Sequence, residues 1–237
     1  MSSMFTVYQK HADLYDELVN HEDFKSNIKS FLLENIEWKD KIVCEFGVGT
    51  GRVTKFYIKD IKRANLYDIS GHMIEKAKLN LINWIDKLNY FEIDNRNINT
   101  ISEQFDIVIE GWSFGHLIVE EDTKKEIWVD KLISESIRIA RDNIIFIETM
   151  GTNVEYPTVP GADLKYFYSR LNEYGFVENI IETNYLFDNY EEATRIMGGF
   201  FCEKMKSEIE KSKKNEIKEY TGVWIFDKKR HRTIAST

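Results

Sequence analysis

Three glycines set between an apolar strand and the start of a helix constrain this chain more than any other feature. Ile42 to Phe46 reads as a strand, and Gly47, Gly49 and Gly51 follow it at once. Gly51 to Asp60 then reads as a helix. Glycine accepts backbone conformations closed to other residues, so the chain can turn sharply here and bring its backbone close to a ligand. A strand that feeds a helix through such a turn is the opening unit of a wound α/β sheet.

The rest of the chain alternates in the same way. Ala64 to Asp68 reads as a second strand, with a helix from Ser70 to Ile85. Tyr90 to Ile93 is a third strand. Phe105 to Glu110 is a fourth, so apolar that it belongs in the middle of a sheet covered on both faces. Lys124 to Ala140 has helical spacing, Asn143 to Glu148 is a fifth strand, and Leu164 to Tyr174 is a helix closed by Gly175. Val177 to Phe187 then reads as one long strand, Tyr190 to Lys214 as a charged helix, and Tyr220 to Phe226 as a last strand. This order predicts an α/β fold, a doubly wound and mostly parallel sheet with helices on both faces. With 237 residues there is room for a single domain: residues 1–40 as a helical cover, 41–150 as the ligand-binding core, and 151–237 as acceptor-side insertions and last strands.

The glycine turn does not suit a phosphate. The dinucleotide fingerprint wants a third glycine where Arg52 stands, and no P-loop run occurs. Glu45 sits two residues before the first glycine; its carboxylate would repel a pyrophosphate and attract an ammonium group. The helix start beyond Gly51 offers free N–H groups to a carboxylate. Asp68, at the end of the second strand, is placed to accept both hydroxyls of a ribose. Asp94 and Asn95, just past the third strand, offer an acceptor and an amide to a base edge. Glu110, Gly111 and Trp112 border the place where the ligand's reactive end would lie. Together these residues describe a nucleoside with an ammonium tail and no phosphate.

In these segments the chain resembles the class I methyltransferase superfamily. The matching runs are Glu45-Phe46-Gly47-Val48-Gly49-Thr50-Gly51, then Tyr67-Asp68-Ile69-Ser70 with Met73-Ile74-Glu75-Lys76-Ala77, and then Phe105-Asp106-Ile107-Val108-Ile109-Glu110. The resemblance implies S-adenosylmethionine as cofactor and a seven-stranded sheet whose last strand is antiparallel. It adds Phe46, Ile69 and Met73 to the residues expected around that cofactor.

In methyl transfer the cofactor carries the hard chemistry and the protein orients the acceptor. His116 is the candidate base and acceptor contact, in the company of Trp112, Ser113 and Phe114. Tyr8, His11 and Tyr15 are candidates for a lid, and Tyr156, Tyr166, Phe167 and Tyr168 for an acceptor wall. A net charge of −8 argues against a nucleic-acid footprint, which needs clustered Lys and Arg, so a small-molecule acceptor is expected and no DNA. Cys44 and Cys202 make neither a disulfide framework nor a metal spacing, and no metal is expected. No apolar run is long enough for a membrane span, and the absence of an export signal points to the cytoplasm. No heptad run marks a coiled-coil interface. The alternatives are a cofactor-binding module without transfer activity, or methylation of a tRNA or a protein.

Overall fold

Strand β1 (Ile42–Phe46) lies in the middle of a sheet because Val43, Cys44, Glu45 and Phe46 are all buried. A computed structural model gives the architecture and describes residues 12–121 and 123–230. β1 pairs in parallel with β2 (Arg63–Asp68) and with β4 (Phe105–Gly111), Val43 facing Ala64 on one side and Ile107 on the other. β3 (Leu88–Glu92) lies outside β2, and β5 (Ala140–Thr152) outside β4. The sheet has seven strands in the order β3-β2-β1-β4-β5-β9-β6. β9 (Glu219–Asp227), the last in the chain, runs antiparallel to both β5 and β6 (Val177–Glu182). The resemblance implied this sheet, last strand included.

Two apolar layers cover the sheet, as alternation of side chains along each strand requires. One joins Cys44, Phe46, Val108, Phe146 and Trp224 to helices α5 (Phe114–Glu120), α6 (Lys125–Ile139) and α7 (Gly161–Glu173). The other joins Val43, Leu66, Ile107, Ile145 and Val223 to α2 (Asn27–Asn35), α3 (Thr54–Tyr57) and α4 (Gly71–Asn80). A third cluster stands apart. Leu18 of α1 (Ala12–His21) packs with Tyr185 and Phe187, with Ile196, Met197 and Phe200 of α8 (Tyr190–Phe200), and with Ile209 of α9 (Glu203–Ser212). A two-stranded ribbon, β7 (Tyr185–Leu186) with β8 (Glu216–Ile217), belongs to this cluster. The chain goes out from β1 to β2 and β3, then returns to β4 on the other side of β1. That reversal opens a crevice at the carboxyl ends of β1 and β4.

Several elements differ from those expected. The helix over Gly51 to Asp60 shrinks to α3, because the glycine turn occupies its first residues and tight three-residue bonds such as Phe56 N–H to Val53 O shorten the rest. The helix from Ser70 ends at Asn80 and continues as a 3₁₀ stretch, Ile82–Lys87. The long strand to Phe187 divides at Thr183 and Asn184. The Thr183 hydroxyl meets the Thr221 hydroxyl at 2.9 Å, and the Asn184 side chain reaches Glu216, so the chain leaves the sheet edge there. The helix expected over Tyr190 to Lys214 breaks at Phe201 and Cys202, where Cys202 is fully extended. α5 was not foreseen.

Leu18 is the main apolar anchor of α1 in the third cluster, and only 2% of it is exposed. Leu18→Ala is expected to destabilise the cover by about 2–5 kcal/mol. Hydrogen exchange should quicken over residues 12–21 and 190–200 while amides in β1 and β4 stay protected.

Candidate functional site

The crevice holds a cavity of about 350 Å³ at the carboxyl ends of β1, β2 and β4, within the range of small-molecule sites. Its floor is the glycine turn. Gly47, Gly49 and Gly51 all have positive φ, but Gly47 is fixed by more than its backbone. A methyl group at Gly47 would lie 2.2 Å from the Ser113 Cβ. The turn after β1 and the turn after β4 therefore touch, backbone against side chain.

Asp68 ends β2 and lines the cavity. One carboxylate oxygen accepts the Gly49 N–H at 2.8 Å and the other the Ser70 N–H at 2.9 Å. Each oxygen keeps a further lone pair, so the group can brace the glycine turn and still accept from a ligand. Burial raises its pKa. Ile69, Ser70 and Met73 follow along the same wall, and the Ser70 hydroxyl caps α4 by accepting the Met73 N–H. Asp94 and Asn95 line the far end. The Asp94 carboxylate is gripped by the Arg96 guanidinium at 2.6–3.1 Å. The Asn95 amide nitrogen reaches the Ser113 Oγ at 3.4 Å, while its Oδ1 is buried without a partner.

Past β4 the wall is Gly111, Trp112, Ser113, His116 and Leu117. Trp112 is left-handed, with φ 51°, and its N–H donates to the Ile147 carbonyl. The Arg52 guanidinium lies 4.0 Å from the centre of the Trp112 ring. Both arms of Arg52 also hold Glu22, at 2.7 and 3.0 Å, and Glu22 accepts the Tyr185 hydroxyl. Burial pushes His116 down to about 4, so its imidazole is neutral at physiological pH. Tyr15, on α1, closes the top and is raised to about 12 by burial.

Some residues expected here lie elsewhere. Glu45 is buried beneath the turn and does not line the cavity. Its Oε2 accepts from the hydroxyls of Thr54 and Tyr57, and burial raises it to about 7. It braces α3 through that oxygen. Phe46 lies in the core between Tyr67 and Phe114, and Gly51 rests on Leu81. Glu110 is buried under the Ser113 turn and accepts from its backbone. Tyr156 is 75% exposed and outside the cavity; Phe167 and Tyr168 belong to the core. Tyr8 and His11 lie outside the described residues. Arg96 and Glu120 line the cavity without having been singled out, since neither belongs to a local motif. Among the described residues no group of three or more His, Cys, Asp or Glu is placed to hold a metal ion, and no helix is long and apolar enough to cross a membrane.

A methyltransferase-domain family model matches residues 43–128, the stretch that contributes β1 to β4 and most of this cavity. Over that stretch the chain is similar to methyltransferase domains, as its motifs implied. An uncharacterized methyltransferase of Anoxybacillus flavithermus is 27% identical over 157 residues, 63% of this chain and 68% of the relative. The YcgJ protein of Bacillus subtilis superposes with a TM-score of 0.60 at 10% identity, covering 84% of this chain and 97% of its own. The N-methyltransferase NodS of Bradyrhizobium japonicum, in complex with S-adenosyl-L-homocysteine, gives 0.52 at 12% identity, covering 92% and 98%. At such identities the likeness to these two structures is one of fold.

Two outcomes follow for this methyltransferase site. Gly47→Ala forces a left-handed alanine onto Ser113 and is expected to cost at least about 2 kcal/mol, read by urea denaturation. His116 is a base whose folded value lies below its ordinary 6.5. Its neutral form thus contributes stability above pH 6.5 that is lost as pH falls toward 4. Imidazole NMR shifts of His116 should stay in the neutral form from pH 8 down to pH 5.5; a midpoint near 6.5 would refute the burial argument.

Proposed function

We propose that this methyltransferase binds S-adenosylmethionine in the crevice cavity and transfers its methyl group to an oxygen, nitrogen or carbon of a small-molecule acceptor. The observation that carries the cofactor reading is the donor and acceptor balance of the lining. Asp68, Asp94 and Glu120 supply carboxylates, and Arg96, the one cation among the described lining residues, is spent on Asp94 and Glu121. Such a lining suits a cationic ligand without phosphate. The buried Asn95 Oδ1, which lacks a partner, suits the amine of a purine.

Bound S-adenosylmethionine supplies an electrophilic methyl on a sulfonium, whose leaving group is a neutral thioether. Asp68 would hold the ribose with the lone pairs that the glycine turn leaves free. Asn95 and Asp94 would hold the adenine edge. Gly111 to Ser113 would border the methyl, and Tyr15 would exclude water from above. His116 fits an orienting role better than that of a strong base. A group with a pKa of about 4 accepts a hydrogen bond well and retains a proton poorly. It would aim the acceptor's O–H or N–H bond so that the lone pair points along the line of attack. The net charge of −8 and the lack of a free cation among the described lining residues support a neutral or amine acceptor over a polyanion.

Calorimetry with S-adenosylmethionine tests the first half. Micromolar binding is expected, weakened at least tenfold by Asp68→Ala; a folded protein that does not bind would refute it. For the second half, S-adenosylhomocysteine release is measured over a library of small hydroxyl, amine and thiol compounds. Release with RNA alone would overturn the acceptor class.

A further inference from the structure

Beneath the wall that carries Ser113 and His116 lie two carboxyl groups that the reading above does not use. Glu110 on β4 and Glu148 on β5 point to the same face of the sheet, and they are 1% and 3% exposed. Glu110 Oε2 accepts the N–H groups of Ser113 at 3.2 Å and Phe114 at 3.3 Å, and the Ser113 hydroxyl at 3.3 Å. Glu148 Oε1 accepts the Gly115 N–H at 2.6 Å. Three consecutive backbone donors are thus held by two adjacent acids. Gly115 makes this possible, since a methyl group there would sit 2.6 Å from a Glu148 oxygen.

Among the described residues, the groups facing the pair offer it no cation. From α5 it is Ser113. From α7 it is Tyr168, whose hydroxyl donates to the Thr149 carbonyl and which burial first, and then the two acids, push away from ionisation. From β9 it is Trp224, whose ring is tilted against that of Tyr168 with centres 4.4 Å apart. Asn95 reaches the pair through Ser113. Among the described residues no ion pair involves either acid. Two carboxylates in contact, away from water, cannot both be ionised. Glu110 and Glu148 act on one another, and Glu110 Oε1 is buried with no donor, a place that a proton on Glu148 would fill.

We propose that Glu110 and Glu148 act as one positioning unit, a carboxyl–carboxylate pair sharing one proton, that presses the Ser113–Gly115 turn onto Gly47 and so sets where Ser113, His116 and Leu117 face the cavity. The proposal rests on the cofactor reading only for its binding test. Both acids titrate above the ordinary 4.5, Glu110 at about 7. The stability contributed by the shared proton is therefore complete below pH 4.5 and lost as pH rises through the folded values.

The test compares Glu148→Gln with Glu148→Ala. Glutamine can accept the Gly115 N–H and donate to Glu110 permanently, whereas alanine can do neither. Affinity for S-adenosylhomocysteine, measured by calorimetry, should fall at least tenfold in Glu148→Ala and recover to within threefold of wild type in Glu148→Gln. The thermal midpoint of Glu148→Gln minus that of wild type should rise steadily between pH 5 and pH 9, a course that mere space filling would not produce. A glutamine variant as weak as the alanine one, or a flat midpoint difference, overturns the proposal. Should Glu148→Ala not fold, the pH course of Glu148→Gln decides alone. Should the wild type not bind S-adenosylhomocysteine, the cofactor reading fails and the same pH course still decides this one.

Discussion

The site depends on one contact, that of Gly47 with Ser113. The turns that follow β1 and β4 come from neighbouring parallel strands, and they can close on a ligand only if they meet. A side chain at position 47 would overlap Ser113, so the glycine sets the distance between the two turns. Everything placed on them inherits that spacing: Gly49 with Asp68 on one side, Trp112 and His116 on the other. The glycine run thus works as a joint between two strands as well as a place of close approach to a ligand.

Below that joint the central strands end in acids. Glu45, Glu110 and Glu148 are all buried; Glu110 and Glu148 accept hydrogen bonds from the turn above them, and Glu45 accepts from the hydroxyls of α3. Burial makes every one of them a weaker acid than in water, because desolvation penalises charge. The cost is offset by the backbone and hydroxyl donors they collect. Turns at strand ends expose unpaired N–H groups, and buried donors left unpaired are expensive. Acids beneath the turns satisfy those donors from inside and leave the cavity face free.

Strand order, the covered fourth strand and the place of the crevice were legible in the sequence, because period and apolarity are local signals. Asp68 and the Gly47–Gly49 turn were legible for the same reason: both lie at strand ends within one βαβ unit. Glu45 was expected to face an ammonium group and is found packed on Thr54 and Tyr57; residue type says what a carboxylate attracts but not what a strand packs it against. The break at Thr183 and the loss of Phe187 from the sheet depend on bonds to residues 216–221, far along the chain. The α5 helix begins on N–H groups capped by Glu148, a partner 33 residues away. No local pattern announces such partners.

Arg52 shows what long-range contacts add to a local motif. In the sequence it counts only as the residue that spoils a dinucleotide fingerprint. In the fold it stands between the Trp112 ring and Glu22, with Tyr185 beyond. It therefore ties the glycine turn, the wall after β4, the end of α1 and the small ribbon to one buried guanidinium. A planar group with five donors suits this, since it can stack and form a fork at once. A glycine at the same position would suit a pyrophosphate and take away this one of the cover's links to the core. The departure from the phosphate motif and the attachment of the cover are thus two consequences of the same side chain.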